Sequence, residues 1–228
     1  MQTDNFFKLD NPTWFALTEA HQHWAQIYDG IKLYPQHICP FGGINGQAAL
    51  NKIPQQLLPV GQTFFIIGEA PQIPLGFQLK NELICLQMVA TETPKSPLSH
   101  TIVPLSNNWI EALHELVNLV QPGYFMPQTH LMGNYWGIIK NNQLVAITGE
   151  RMQLDTFTEI SAVITHPDYQ RQGMAKQLVS HAVQHNFARR KTPFLHVLDS
   201  NIGAIKLYEQ LGFYTRRKIS FWLIKRLA

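Results

Sequence analysis

Between Glu159 and Phe187 the hydrophobic period of this chain switches from two to between three and four, and the switch occurs across one short loop. The run from Glu159 to Ala175 reads E-I-S-A-V-I-T-H-P-D-Y-Q-R-Q-G-M-A. The alternation upstream specifies a strand, and Pro167, which supplies no backbone donor, ends it. From Ala175 the apolar positions are Ala175, Leu178, Val179, Ala182, Val183 and Phe187, the spacing of a helix face. The chain is thereby committed to a strand–loop–helix unit. The first N–H groups of that helix have no intrahelical partner, and the helix dipole favours an anion beside them. Gly173 and Ala175 are small enough for a pyrophosphate to approach the backbone. The loop Gln170, Arg171, Gln172, Gly173, Met174, Ala175 is therefore expected to hold a nucleotide-like cofactor by its main chain.

Two other anion loops are excluded. No G-x-x-x-x-G-K-[ST] occurs, and no G-x-G-x-x-G follows a strand. A second unit follows, P-F-L-H-V-L-D-S-N-I-G-A-I-K-L-Y-E-Q-L-G-F from Pro193 to Phe213. Phe194 to Leu198 is a short apolar strand, and Asp199, Ser200 and Asn201 are helix-starting residues. Ala204, Leu207, Tyr208 and Leu211 make one helical face, and Gly212 fits the left-handed position after a helix.

The loop Q-x-x-G-x-A and the run N-x-x-A-x-x-x-Y-x-x-x-G-F (Asn201, Ala204, Tyr208, Gly212, Phe213) resemble the two cofactor motifs of the GNAT N-acetyltransferase superfamily. The resemblance covers about residues 98–228. The stretches T-E-I-S-A-V-I-T-H-P and T-P-F-L-H-V look most like the glycine N-acyltransferase-like branch. The resemblance implies an α/β fold with a mixed central sheet and helices on both faces, preceded by a smaller α/β N-terminal region. It implies acetyl-CoA as acyl donor, no metal, and an amine acceptor, either a small molecule or a peptide. Residues 170–175 would take the pyrophosphate. Val163, Ile164 and Thr165 would line the pantetheine arm, with Asn201 and Ala204 at the second motif. An N-acyltransferase is the enzyme expected; a CoA-binding sensor or interaction module without turnover is the alternative.

Acetyl transfer to an amine has three chemical needs. The amine must lose a proton, the thioester oxygen must be stabilised, and the departing thiolate must be protonated. An alkylamine has a pKa near ~10, so a base helps at neutral pH. Glu159 stands eleven residues before Gln170, the spacing at which histone-type members of the superfamily carry a catalytic glutamate. By alternation it shares a face with Ser161 and Val163. It is the expected base; a solvent-facing or ion-paired strand glutamate is the other reading. The resemblance gives the backbone N–H of Val163 as oxyanion donor and Tyr208 as general acid. Without the motif, Tyr208 would read as a core tyrosine.

Bulk properties set outer bounds. The chain has 228 residues, of which 45% are hydrophobic, enough for one large domain or two small ones. No apolar run approaches the roughly 20 residues that span a bilayer. The opening Met1-Gln2-Thr3-Asp4-Asn5 lacks the features of a secretion signal, and Cys39 and Cys85 read as free buried thiols. A cytoplasmic location follows as the expectation. The net charge of +3 is unevenly spread: residues 170–228 carry 11 Lys and Arg against 2 Asp and Glu. That suits a polyanionic cofactor, with Arg189-Arg190-Lys191 and Arg216-Arg217-Lys218 as candidates for the 3′-phosphate, although a solvated basic face explains much of it. No nucleic-acid module is recognisable.

The remaining pattern predicts strands at Thr101–Leu105, Tyr135–Ile139, Leu144–Arg151, Phe157–Thr165 and Arg217–Ile224, with a helix carrying Ile110, Leu113, Leu116, Val117 and Val120. Residues 98–228 form the expected catalytic domain. Residues 1–95 form an N-terminal region, either a degenerate half-copy or a cap over the cleft. There, Trp14 to Ile27 reads as helical, and Thr63–Ile67 and Leu83–Val89 as strands. Gly42-Gly43-Ile44-Asn45-Gly46 reads as a flexible turn, and Thr91 to Pro97 as a linker. His21, His23, His37 and Cys39 match no zinc spacing. Ser161 and His166 have no fixed partner for nucleophilic chemistry. Glu150 and Arg151 could meet substrate or pair structurally. The resemblance implies that acceptor specificity comes from roughly residues 107–135 with a contribution from the N-terminal part; Trp109, Tyr124, Phe125, Tyr135 and Trp136 make that region aromatic, although such side chains are more often core.

Overall fold

The computed structural model describes residues 5–46, 48–94 and 99–228. In chain order they form α1 (Pro12–Ala16), β1 (Gln26–Tyr28), β2 (Ile31–Leu33), β3 (Phe41–Ile44), β4 (Thr63–Gly68), β5 (Phe77–Ala90), β6 (Ile102–Pro104), α2 (Ile110–Val120), β7 (Tyr135–Lys140), β8 (Gln143–Gln153), β9 (Phe157–Thr165), α3 (Met174–Ala188), β10 (Thr192–Leu198), α4 (Ile202–Gln210) and β11 (Phe213–Arg226). Short 3-10 turns separate several of them. All eleven strands join one sheet in the order β1-β2-β3-β4-β11-β5-β10-β9-β8-β7-β6. Among the described residues only β3–β4 and β9–β10 pair in parallel.

Helices cover both faces of this mixed sheet, as expected. On one face Leu178, Val179, Ala182 and Val183 of α3 and Ile205 and Tyr208 of α4 pack on Met88, Ile160, Leu195 and Val197. On the other, Leu113, Leu116 and Val117 of α2 meet Ile147 and Ile164. Farther along that second face, Leu9, Ala16, Leu17 and Tyr34 cover Phe157, Phe194 and Phe221. The N-terminal segment is thus a lid on the sheet. Fully burying one such apolar side chain is worth roughly 1.5–3 kcal/mol.

The N-terminal part departs from its sequence pattern in two places. The expected helix over Trp14–Ile27 stops at Ala16 and gives way to a 3-10 turn, Gln22–Trp24, and to β1. Local hydrogen bonds compete with the helix there: Thr18 Oγ1 donates to Trp14 O, and His21 N donates to Ala16 O. His21 then turns inward to Tyr34 Oη at 2.8 Å. Of the glycines read as a flexible turn, Gly42 and Gly43 are instead part of strand β3, and Gly46 lies in the bend after it. Gly42 lies against Leu33 and Ile66, and Gly43 against the Trp14 backbone, so a side chain at either would collide.

Strand β5 begins at Phe77, six residues before the expected Leu83, and β11 at Phe213 rather than Arg217. The two run side by side from Phe213↔Ala90 to Arg226↔Phe77. The boundary expected near residues 95–98 falls between β5 and β6 in the chain. In the sheet, β5 sits between β10 and β11. Residues 95–97 of the expected linker, and Met1 to Asp4 of the expected leaderless start, lie outside the described residues. Among the described residues no helix is long and apolar enough to cross a membrane.

Candidate active site

Strands β9 and β10 are paired over only three positions, Thr192↔Phe157, Pro193↔Thr158 and Phe194↔Glu159. Beyond that each keeps its outer neighbour: β10 stays on β5 as far as Leu198↔Cys85, and β9 stays on β8 as far as Ala146↔Thr165. The sheet therefore opens in a V between Ile160–Thr165 and Leu195–Leu198. A bulge reinforces the opening. The β8–β9 register shifts between Ile147 and Gly149, and Ala162 has φ +51°. The extra residue breaks the simple alternation. Val163 packs with the α3–α4 core, while Ala162 and Ile164 join the α2 core. The expectation that Val163 shares a face with Glu159 is corrected accordingly.

The loop expected to hold the pyrophosphate follows β9 and ends at α3. Arg171 (φ +60°) and Gly173 (φ +78°) are both left-handed. Such alternation turns successive N–H groups toward one side, the geometry of an anion nest. No side chain caps α3. Among the described residues a Cβ at Gly173 would meet nothing within 4 Å. Among the described residues the helix start is thus uncapped, with open space beside Gly173, which fits a bound pyrophosphate.

The second motif sits across the V. Asn201 caps α4 by accepting from Ala204 N at 3.2 Å. Tyr208 is 7% exposed, and burial pushes its phenol up to about 12. Among the described residues its hydroxyl has no hydrogen-bond partner. It packs with the same core as Val163, so the two proposed catalytic groups flank the opening.

Glu159 is fully buried at the apex of the V. Arg151 grips it at two points, Nε to Oε2 at 2.8 Å and Nη2 to Oε1 at 2.6 Å. His196 Nδ1 lies 2.8 Å from Oε1. Burial alone would raise this carboxyl, but the charge and hydrogen bonds of Arg151, with His196, outweigh it and hold it at about 2. A carboxylate so placed is closed to an incoming amine and too acidic to take its proton. The base role expected for Glu159 does not fit this setting; the ion-pair reading does.

Other sequence candidates are also committed elsewhere. Glu150 is buried and accepts from Asn134, Asn186 and Arg189. Arg216 and Arg217 pair with Asp10, and Lys218 with Asp199, so that basic triplet is engaged within the fold; in the other, Arg189 meets Glu150 and Lys191 donates to Leu154 O. Trp136 and Tyr135 line a separate cavity of about 370 Å³ with His130 and His185, on the β7 side of the sheet. Among the described residues no cluster of His, Cys, Asp and Glu is placed to hold a metal. His196 and Gln87 were missed in the sequence. The available signal was a polar side chain inside each of two apolar strand runs, F-L-H-V and I-C-L-Q-M-V.

Residues 135–223, which contain the V, the loop and the second motif, match the model of the family described as FR47-like protein. A solved structure from Novosphingobium aromaticivorans, titled as a GNAT-family acetyltransferase, superposes with a TM-score of 0.86 at 27% identity. It covers 96% of this chain and 98% of its own. Over nearly its whole length the chain is therefore similar to a GNAT-family acetyltransferase. A GCN5-related N-acetyltransferase from Kribbella flavida shares the GNAT fold over 94% of this chain, with a TM-score of 0.61 at 16% identity. The [ribosomal protein bS18]-alanine N-acetyltransferase of Escherichia coli K12 is 36% identical over 77 residues, 33% of this chain. The chain spans about half the length, 51%, of that curated relative.

Proposed function

We propose that this chain is an acetyl-CoA-dependent N-acyltransferase in which an amine attacks the thioester directly, without an acyl-enzyme. The observation that carries this reading is the V between β9 and β10 beside the uncapped start of α3. Residues 170–175 hold the pyrophosphate, and main-chain groups of Val163, Ile164 and Thr165 receive the pantetheine arm. The Val163 amide donates to the thioester oxygen as the amine nitrogen bonds to the carbonyl carbon. As the carbon–sulfur bond breaks, Tyr208 gives its proton to the sulfur; with its phenol at about 12 it is protonated at neutral pH. Asn201 is committed to its helix cap, and Ala204 offers a small surface beside it. With Glu159 closed, water in the cleft takes the amine proton.

The bS18-alanine relative acts on a protein N-terminal alanine by its name, which makes peptide N-termini the first acceptors to try. Small amines and glycine come next, the latter from the likeness to the glycine N-acyltransferase-like branch. A CoA-binding module without turnover is the second reading, and the sealed ion pair at Glu159 favours it. Calorimetric titration with acetyl-CoA, followed by turnover on this acceptor panel, separates the two. Micromolar binding with turnover supports the transferase. Binding without turnover on any acceptor favours the module, and no binding by folded protein removes both.

A further inference from the structure

The contacts of Glu159 continue as a hydrogen-bonded chain across five adjacent strands, β8, β9, β10, β5 and β11. Arg151 on β8 holds Glu159 on β9, and Glu159 meets His196 on β10. His196 Nε2 lies 3.0 Å from Gln87 Nε2 on β5. Gln87 Oε1 accepts from Arg216 Nη1 on β11 at 2.8 Å, and Arg216 Nη2 meets Asp10 Oδ1 at 2.8 Å. Gln87 is fully buried and the His196 side chain is 2% exposed.

The direction of every bond follows from one end. A guanidinium only donates, so Gln87 must present its oxygen to Arg216. Its NH2 group then faces Leu9 O, at 2.7 Å, and His196 Nε2. An NH2 group also only donates, so Nε2 must accept. The ring proton therefore sits on Nδ1 and is donated to Glu159 Oε1. Turning the amide over would set oxygen against oxygen at Leu9 and donor against donor at Arg216.

The place of this chain in the sheet gives it a task. Glu159 is the last β9 residue paired with β10. His196 lies two residues beyond Phe194, the last β10 residue paired with β9. Their hydrogen bond crosses the fork just where the ladder stops. We propose that Glu159 and His196 are positioning residues that fix the point where β9 and β10 part, and that Arg216, through Gln87, sets the His196 tautomer their contact requires. This rests on the reading that the V takes acetyl-CoA. The Val163 amide rides on β9 and Tyr208 on the helix after β10, so the fork sets the distance between donor and acid.

Nuclear magnetic resonance and kinetics on the full chain test this separately. Long-range proton–nitrogen spectra of the wild type should show His196 protonated on Nδ1 alone, and Arg216→Met should mix the tautomers. In His196→Phe the amide shifts of Ile160 and Leu195 should move, and His196→Asn, which restores a donor near the Nδ1 position, should bring them back. Turnover should follow: about 30-fold lower kcat in His196→Phe with acetyl-CoA Kd changed less than about threefold, largely recovered in His196→Asn. A wild-type proton on Nε2, or a fork whose shifts ignore both His196 variants, overturns the proposal whatever the turnover. Wild-type protein that passes these spectral tests yet binds no acetyl-CoA leaves the fork assignment supported and removes the transferase reading instead. Should His196→Phe not fold, the Arg216→Met and His196→Asn spectra still decide.

Discussion

The imidazole Nε2 of His100 and the main-chain oxygen of Gln172 lie 2.9 Å apart, tying the segment ahead of β6 to the anion loop. A second tie lies one turn into α3. Gln177, 2% exposed, accepts from Ser99 N and His100 N at 2.9 Å each and donates to His100 O. The loop is braced from outside its own strand–helix unit. Gln177→Ala strips three backbone partners and should cost about 1–3 kcal/mol of stability. By the same loosening, acetyl-CoA Kd should rise roughly three- to tenfold, about 1 kcal/mol. Denaturant unfolding and calorimetry read the two effects. An unchanged Kd in a destabilised variant would show that the brace serves only the fold.

Gly173 separates backbone conformation from ligand contact. Its φ of +78° is left-handed, and among the described residues no atom stands within 4 Å of where a Cβ would lie, so Gly173→Ala should cost only the backbone preference, about 1–2 kcal/mol. Gly173→Glu places a carboxylate where the pyrophosphate is proposed to bind. Calorimetric binding of acetyl-CoA should be lost in the second variant and only weakened in the first. Wild-type affinity in Gly173→Glu would remove the loop from the cofactor site.

Tyr208→Phe removes a hydroxyl that has no protein partner among the described residues. Stability should stay within about 0.5 kcal/mol of wild type. If the hydroxyl protonates the leaving sulfur, kcat should fall about 10²-fold while acetyl-CoA Kd holds. The pH profile adds a check. With the phenol at about 12, no loss of activity from Tyr208 ionisation should appear between pH 6 and pH 10. Full turnover by the phenylalanine variant would retire the acid assignment.

Acid should unfold this protein in two stages. Burial drives His21 down from 6.5 to about 4, against the opposing hydrogen bond to Met132 O. Its folded-state value is depressed, so its contribution is present above pH 6.5 and lost as pH falls toward 4. The Glu159 carboxyl is lowered from 4.5 to about 2, so its contribution is complete above pH 4.5 and lost toward 2. Each window is worth about 3 kcal/mol at most. Urea midpoints measured from pH 8 to pH 3 should fall in both windows. His21→Asn should flatten the upper window and leave the lower one, and an unaltered upper slope would reject the His21 assignment.

The strand–loop–helix units were legible because their signals are local. The period switch at residue 174, the proline after β9 and the glycine after α4 each act within a few residues. β3 was not legible, because Gly42 and Gly43 are demanded by Leu33 and by Trp14, not by their neighbours in the chain. The spacing of Glu159 from Gln170 singled out a residue that the structure places where β9 and β10 part. It was silent on accessibility, because accessibility is set by Arg151 and His196 on the two neighbouring strands. Alternation also failed at Val163, where a bulge opposite Thr148 moves the side chain to the other face. Bulges of that kind depend on the partner strand, which no local pattern records.

Strand β5 has a history as well as a position. Both of its neighbours in the sheet, β10 and β11, are made later; Gln87 and His196, which meet across it, are 109 residues apart. A ribosome adding roughly 5–20 residues per second leaves this fourteen-residue strand with two bare edges for on the order of ten seconds. Bare edges of that length invite pairing with the wrong chain. The exposed stretch Gln78–Glu82, with Lys80 and Glu82 set into it, puts charge along the part of β5 that waits longest in solvent. The same insertion that lets a single sheet carry the cleft makes the newborn chain depend on the late-made strand β11 for closure.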